Sequence, residues 1–125
     1  SVEVVVPGES NNQKLVRWAC NAQLEQMLER GVRVFESPKP FDHSKLMLVD
    51  GCWILFGSAN WDPRSLQLNF EFNVEAYDPR VAGKLGELFR ERREASTEVT
   101  LEAIRSRSAP VKLRDGVARL FSPYL

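Results

Sequence analysis

The chain holds a single histidine, His43, and the residues around it are of types that can handle an anionic phosphoryl group. An imidazole near neutral pH can act as a nucleophile or carry a proton. Lys45, two positions on, supplies fixed positive charge. Further along, "GSAN" offers Gly57, where backbone can approach closely, and the neutral donors Ser58 and Asn60. Together these parts suit a phosphodiester whose charge must be held during displacement. Glu71 and Asn73, in the alternating stretch "FEFNVEAY", could orient an imidazole or a substrate hydroxyl. Singly, each part is uninformative. A lone histidine is usually structural, and "GSAN" after a strand is usually only a loop.

What would bring them together is a hairpin. Asp50-Gly51 stands between the apolar runs "KLMLV" and "CWILF", the strongest short-range hairpin signal, because a primed turn needs positive φ at both central residues. A two-residue turn puts Val49 opposite Cys52, Met47 opposite Ile54, Lys45 opposite Phe56 and His43 opposite Ser58. Directly opposed residues share a face, so His43, Lys45 and Ser58 are expected on one side, with Ser44, Leu46 and Leu48 on the other. A slip of one residue would scatter the group.

The rest of the chain supplies the scaffold. Val2 to Val6, ended by Pro7-Gly8, reads as a buried strand. Ser10, Asn11 and Asn12 can cap a helix whose apolar positions, Leu15, Trp18, Ala19, Ala22, Met27 and Leu28, recur until Gly31 stops it. "VRVF" is then a second strand, and strand–helix–strand predicts a parallel crossover. Phe70 to Tyr77 alternates as a strand. Asp78-Pro79 opens a helix with Val81, Leu85, Leu88 and Phe89 as its buried stripe. "TLEAIRSR" predicts a short helix, and "VKLRDGVARLFSPYL" an amphipathic one interrupted at Gly116. The expected class is α/β, with a mixed, largely parallel sheet flanked by helices.

Composition narrows the function. With 125 residues, 43% apolar and 27% charged, the chain has the make-up of a folded globular domain. Zero formal net charge gives no bulk electrostatic footprint for nucleic acid or an anionic membrane. Cys20 and Cys52 have no ligand-like spacing and read as small core residues in a reducing compartment. One histidine and no carboxylate cluster leave nothing to hold zinc, so no metal or cofactor is expected. No run approaches the length of a membrane span, and no signal peptide is evident. The opening on Ser1, inside an apolar run, suggests a piece of a longer chain.

Read as H-x-K-x-x-x-x-D followed by G-S-x-N, the stretch from His43 to Asn60 resembles the signature of the phospholipase D superfamily. His43, Lys45 and Asp50 stand at its first three fixed positions, and Gly57, Ser58 and Asn60 at the next three. The continuation, with the D-P-R-S-L block from Asp62 to Leu66 and N-F-E from Asn69 to Glu71, is similar to the bacterial cardiolipin synthase branch, as is the ending "ARLFSPYL". The resemblance implies attack on a phosphodiester by a histidine, a covalent phosphohistidine, and a second histidine that protonates the leaving alcohol. In that branch two phosphatidylglycerols give cardiolipin and glycerol. His43 would be one of the two histidines, Lys45, Ser58 and Asn60 would hold the phosphate, and Asp50 would serve the motif structurally. Glu71 would steady a histidine, and Gly57 would support the site.

The same resemblance sets further expectations. Residues 1–95 would form the lobe, incomplete at its N-terminus, and 96–125 a helical extension. One such motif is half a site, because attack and departure lie in line on opposite sides of phosphorus. The isolated chain is therefore expected to be inactive unless an N-terminal lobe or a second copy supplies the other half. The parent enzyme would work at the cytoplasmic membrane surface. Two alternatives stand beside this: a homodimeric phosphodiesterase or nuclease, against which the zero net charge argues, and a non-catalytic lobe for dimerisation or membrane docking through Val111 to Leu125.

Overall fold

A computed structural model describes residues 1–8, 14–40, 42–61 and 63–121. The expected helix caps Ser10, Asn11 and Asn12 lie outside these residues, as do Asp62 and residues 122–125. In chain order the elements are β1 (Val2–Pro7), α1 (Lys14–Glu29), β2 (Val32–Ser37), β3 (Lys45–Val49), β4 (Trp53–Gly57), α2 (Pro63–Gln67), β5 (Asn73–Tyr77), α3 (Pro79–Glu94), β6 (Thr97–Val99), α4 (Leu101–Arg105) and α5 (Ala109–Leu120). Contacts divide the chain into two units, Ser1–Phe41 with Ala95–Leu125, and Asp42–Glu94.

In the first unit the β-branched run of β1 pairs in parallel with β2, from Val2 opposite Val32 to Pro7 opposite Ser37. Parallel strands need a long crossover, and α1 provides it. Gly31, at φ +81°, turns the chain out of the helix, a left-handed conformation that costs glycine little. On the other edge of β2, the short β6 pairs antiparallel. Leu24, Val34 and Ile104 form the buried centre, with Val6, Met27, Leu28, Val32 and Val99 packed around them. Full burial of an aliphatic side chain of this size stabilises by about 1.5–3 kcal/mol.

The C-terminal segment belongs to this unit. Thr100 caps α4, its Oγ1 accepting from the Ala103 N–H at 3.2 Å. Helix α5 packs on α1 and runs unbroken through Gly116, where an interruption was expected. Glycine weakens a helix by only about 1 kcal/mol relative to alanine, which packing of the helix outweighs. Residues 96–125, expected as a helical extension, also contribute a strand to the first sheet.

The second unit is an antiparallel meander, β3-β4-β5. Ile54, fully buried, stands opposite Leu48 on one side and Ala76 on the other. Helix α3 packs against β3 and β4. Asp78 caps it, its Oδ1 accepting from the N–H of Arg80 at 2.8 Å and of Val81 at 3.4 Å. Ala82 is buried in this helix, while Val81 and Leu88, both expected in the stripe, are each 42% exposed.

The α/β class is therefore present, with sheets flanked by helices. The balance of pairings differs from the expectation: among the described residues one pairing is parallel and three are antiparallel. The tight turn after Val49 compels β3 and β4 to run antiparallel, whereas the long connection through α1 lets β1 and β2 pair in parallel. Cys20 and Cys52 are exposed rather than in the core. Cys52 sits in the turn itself, and Cys20 on the outer side of α1.

Candidate active site

His43 lies just ahead of β3, and the chain around it is fastened on both flanks. Asp42 Oδ1 accepts from the Ser44 N–H at 2.9 Å, closing a local turn over the histidine. The same carboxylate pairs with Arg92 of α3, Oδ2 to Nε at 3.5 Å. The Ser44 hydroxyl, then its N–H, holds the Asp42 carboxyl below its ordinary pKa. From the first residue of β3, Lys45 Nζ donates to His43 Nε2 at 2.8 Å and to the His43 carbonyl at 2.9 Å. A lysine ammonium has three donors and no acceptor, so in this contact Nε2 is the acceptor, and the ring is exposed.

The turn that expectation placed at Asp50-Gly51 is there. Both residues have positive φ, 49° and 67°, and Cys52 N–H donates to Val49 O at 3.2 Å. The register beyond it is one residue off, with Val49 opposite Trp53, Met47 opposite Leu55 and Lys45 opposite Gly57. Cys52 is an extra residue on the return strand, the count of a bulge. Lys45 therefore faces Gly57 rather than Phe56, and Ser58 falls on the other side of the alternation from Lys45. Across β4, Gly57 is also paired with Asn73, so Lys45, Gly57 and Asn73 form one row across the sheet.

Gly57 is required there. A Cβ at this position would run into the Phe72 carbonyl oxygen, Asn73 Oδ1 and the Asn73 Cα. The adjoining residues latch β4 to the start of β5. Ser58 Oγ donates to Glu71 Oε2 at 2.6 Å and accepts from the Phe72 N–H at 2.9 Å, while its own N–H donates to Phe72 O at 3.0 Å. Asn69 Nδ2 donates to Glu71 Oε1 at 3.3 Å. Ala59 N–H donates to Asn73 Oδ1 at 3.4 Å. Beside this latch lies a shallow pocket of about 110 Å³, lined by Lys45, Leu55, Gly57, Trp61, Leu66 and Asn73 among others. Its walls are mainly apolar, and Lys45 and Asn73 are its polar groups.

The sequence-derived candidates thus divide. His43 and Lys45 are in direct contact, with Gly57 one strand away. Asp50 is 49° positive in φ at the far end of the hairpin, a turn residue. Asn60 is exposed beyond the end of β4. The Ser58 hydroxyl is committed to Glu71 and Phe72, so a phosphate oxygen could claim it only by displacing the carboxylate. Glu71 takes Ser58 and Asn69 as its described partners, where a histidine was expected. The pocket's apolar walls, Trp61 and Leu66, were not foreseen. Their signal is two large apolar residues flanking a Pro-Arg-Ser block. No group of residues able to hold a metal occurs among the described residues, and no helix there is long and apolar enough to cross a membrane.

The fold is that of the phospholipase D family. A phospholipase D family member, Nuc from Salmonella typhimurium, superposes with a TM-score of 0.65, covering 79% of this chain and 64% of that one at 17% identity. Residues 1–93 match the family described as "Cardiolipin synthase, PLD-like domain", and the chain belongs to it. Relatives of that kind include a cardiolipin synthase of Staphylococcus aureus strain Mu50, 35% identical over 124 residues, and one of Clostridium perfringens strain SM101, 32% identical over 124 residues. Each similarity covers 99% of this chain but only 25% and 26% of the relative. The chain therefore spans about a quarter of the length of the curated relatives it matches.

Proposed function

We infer that this chain carries half of a phosphatidyl-transfer site that makes cardiolipin from two phosphatidylglycerols. The carrying observation is the 2.8 Å contact between Lys45 Nζ and His43 Nε2, which pairs an exposed imidazole with a cation at the edge of an apolar pocket. His43 Nε2 attacks the phosphorus of one phosphatidylglycerol and a P–N bond forms. The P–O bond to the terminal glycerol breaks, and glycerol leaves with a proton from a second imidazole. The hydroxyl of another phosphatidylglycerol then gives that proton back as it attacks phosphorus, releasing His43. Lys45 and Asn60 hold the non-bridging oxygens, whose charge grows in each transition state. Ser58 and Glu71 keep the exit of β4 in place beneath them.

The second imidazole cannot come from this chain, which has one histidine. It comes from another lobe of the parent protein or from a second copy, at a membrane surface where the lipid resides. The test is the parent enzyme with phosphatidylglycerol, as wild type and as His43→Ala. The variant should form no cardiolipin, and wild type quenched in denaturant at neutral pH should carry a phosphatidyl group on His43 that acid releases. Undiminished cardiolipin from the variant would end this reading.

A further inference from the structure

We propose that the helical face of the first unit holds a second anion site, for the phosphate group of a small phosphate ester or lipid headgroup. The site is a cavity of about 270 Å³ between α1, α4 and α5, lined by Asn21, Glu25, Arg107, Lys112, Gly116 and Arg119 among others. It shares no residue with the His43–Lys45 pair.

Charge is the first argument. Three cations and two carboxylates, Glu25 and Asp115, line the cavity, and both carboxylates already have arginine partners at its edge. Arg105 Nε lies 3.0 Å from Glu25 Oε1, and Arg114 Nη2 lies 2.6 Å from Asp115 Oδ1. Asp115 is itself buried, its side chain 4% exposed, and its other oxygen lies 3.6 Å from Arg107 Nη1. A buried carboxylate on one edge of a guanidinium fixes it and leaves its remaining N–H groups for the cavity. Among the described residues Lys112 donates to a neutral acceptor, the Arg105 carbonyl at 2.9 Å. Arg119 makes no ion pair among the described residues. The cavity therefore carries positive charge that its own acids do not cancel.

Space is the second argument. Lys112, Asp115, Gly116 and Arg119 recur at helical spacing and share the cavity side of α5. Glycine is a poor helix former, and a Cβ at Gly116 would meet nothing within 4 Å. No neighbouring group in the fold requires glycine there. Its missing side chain keeps the space between Lys112 and Arg119 open. A phosphate seated over Gly116 would be flanked by those two cations, with Arg107 reaching it from α4's end. Leu113 and Leu120, 70% and 75% exposed on the same helix, make a lipid headgroup as natural a source of that phosphate as a soluble ester.

The experiment uses the 125-residue chain with two probes. In one arm sn-glycerol 3-phosphate is titrated while the amide resonances of Ile104, Gly116 and Arg119 are followed. In the other, co-sedimentation is compared between phosphatidylglycerol and phosphatidylcholine vesicles. Saturable shifts at Gly116 identify a soluble ester as ligand. Selective co-sedimentation with phosphatidylglycerol alone identifies the headgroup. In whichever arm binds, Lys112→Gln with Arg119→Gln should weaken it by at least about tenfold. Gly116→Leu should abolish it with the net charge unchanged and the melting temperature held or raised, while Lys84→Gln, which removes an exposed cation of α3, leaves it intact. Binding of neither probe, or binding that survives Gly116→Leu, overturns the site.

Discussion

At the scale of single residues, the proposed chemistry depends on how few degrees of freedom are left to His43. Lys45 holds the ring at Nε2, and its second bond, to the His43 carbonyl, ties the ammonium to the backbone beside it. In the proposed reaction that ammonium moves only a short way to meet a phosphate oxygen. Lys45→Met keeps the length of the side chain and removes the charge. The parent enzyme should then lose about a hundred- to a thousandfold in kcat, measured as cardiolipin formed per enzyme. Asp42 acts one step further back, through the turn over His43 and the tether to Arg92. Asp42→Ala should leave the fold in place but cost about ten- to a hundredfold in kcat, because a displaced imidazole attacks poorly. Unchanged turnover in that variant would show that the turn does not position the ring.

At the scale of elements, the hairpin decides which side chains meet. Its turn holds Gly51 at φ +67°, where a β-branched residue is strained by roughly 1–2 kcal/mol. Gly51→Val should lower the urea midpoint of unfolding by a corresponding amount, with an unaltered denaturant slope. The turn was legible in the sequence because Asp-Gly between apolar runs has few other readings. The register was not. The extra residue at Cys52 leaves no mark in composition, yet it moves Lys45 from Phe56 to Gly57 and separates it from Ser58. The βαβ unit and α3 were also legible: Gly31 closes the first sixteen-residue helix and Asp78 caps the second. The three-residue β6 and five-residue α2 are too short for any period to declare itself. Tertiary pairing with β2 makes the first of them a strand. The motif residues could be named from their spacing alone, but their partners could not. That Ser58 serves Glu71 and Phe72 rather than standing open follows from where β5 starts, and the alternation from Phe70 to Tyr77 hid that start.

At the scale of the whole molecule, one imidazole is half of what the proposed reaction needs, and zero net charge gives the chain no general attraction to polyanions. Its second unit is sensitive to acid. In the unit Asp42–Glu94 three carboxyl groups are held below their ordinary pKa. Ser44 does this to Asp42 through its hydroxyl and N–H. Tyr77, then Trp53, does it to Glu75 by hydrogen bonds, each at 2.5 Å. Arg80 does it to Asp78 through its side chain and N–H. A depressed carboxyl favours the folded state fully above the unfolded pKa of about 4 and ceases to do so as the pH falls through the folded value. The unit should therefore lose stability as the pH drops below about 4, followed by denaturant midpoints read from amide exchange within residues 42–94. Asp78→Asn isolates one contribution. Asparagine caps a helix about as well as aspartate, so the α3 terminus stays satisfied at neutral pH, but the group no longer titrates. The variant's midpoint should fall less steeply with acid than the wild type's and meet it at low pH, where Asp78 is protonated in both folded and unfolded chains. Parallel curves over the whole range would mean that the Asp78 carboxylate is not what acid removes.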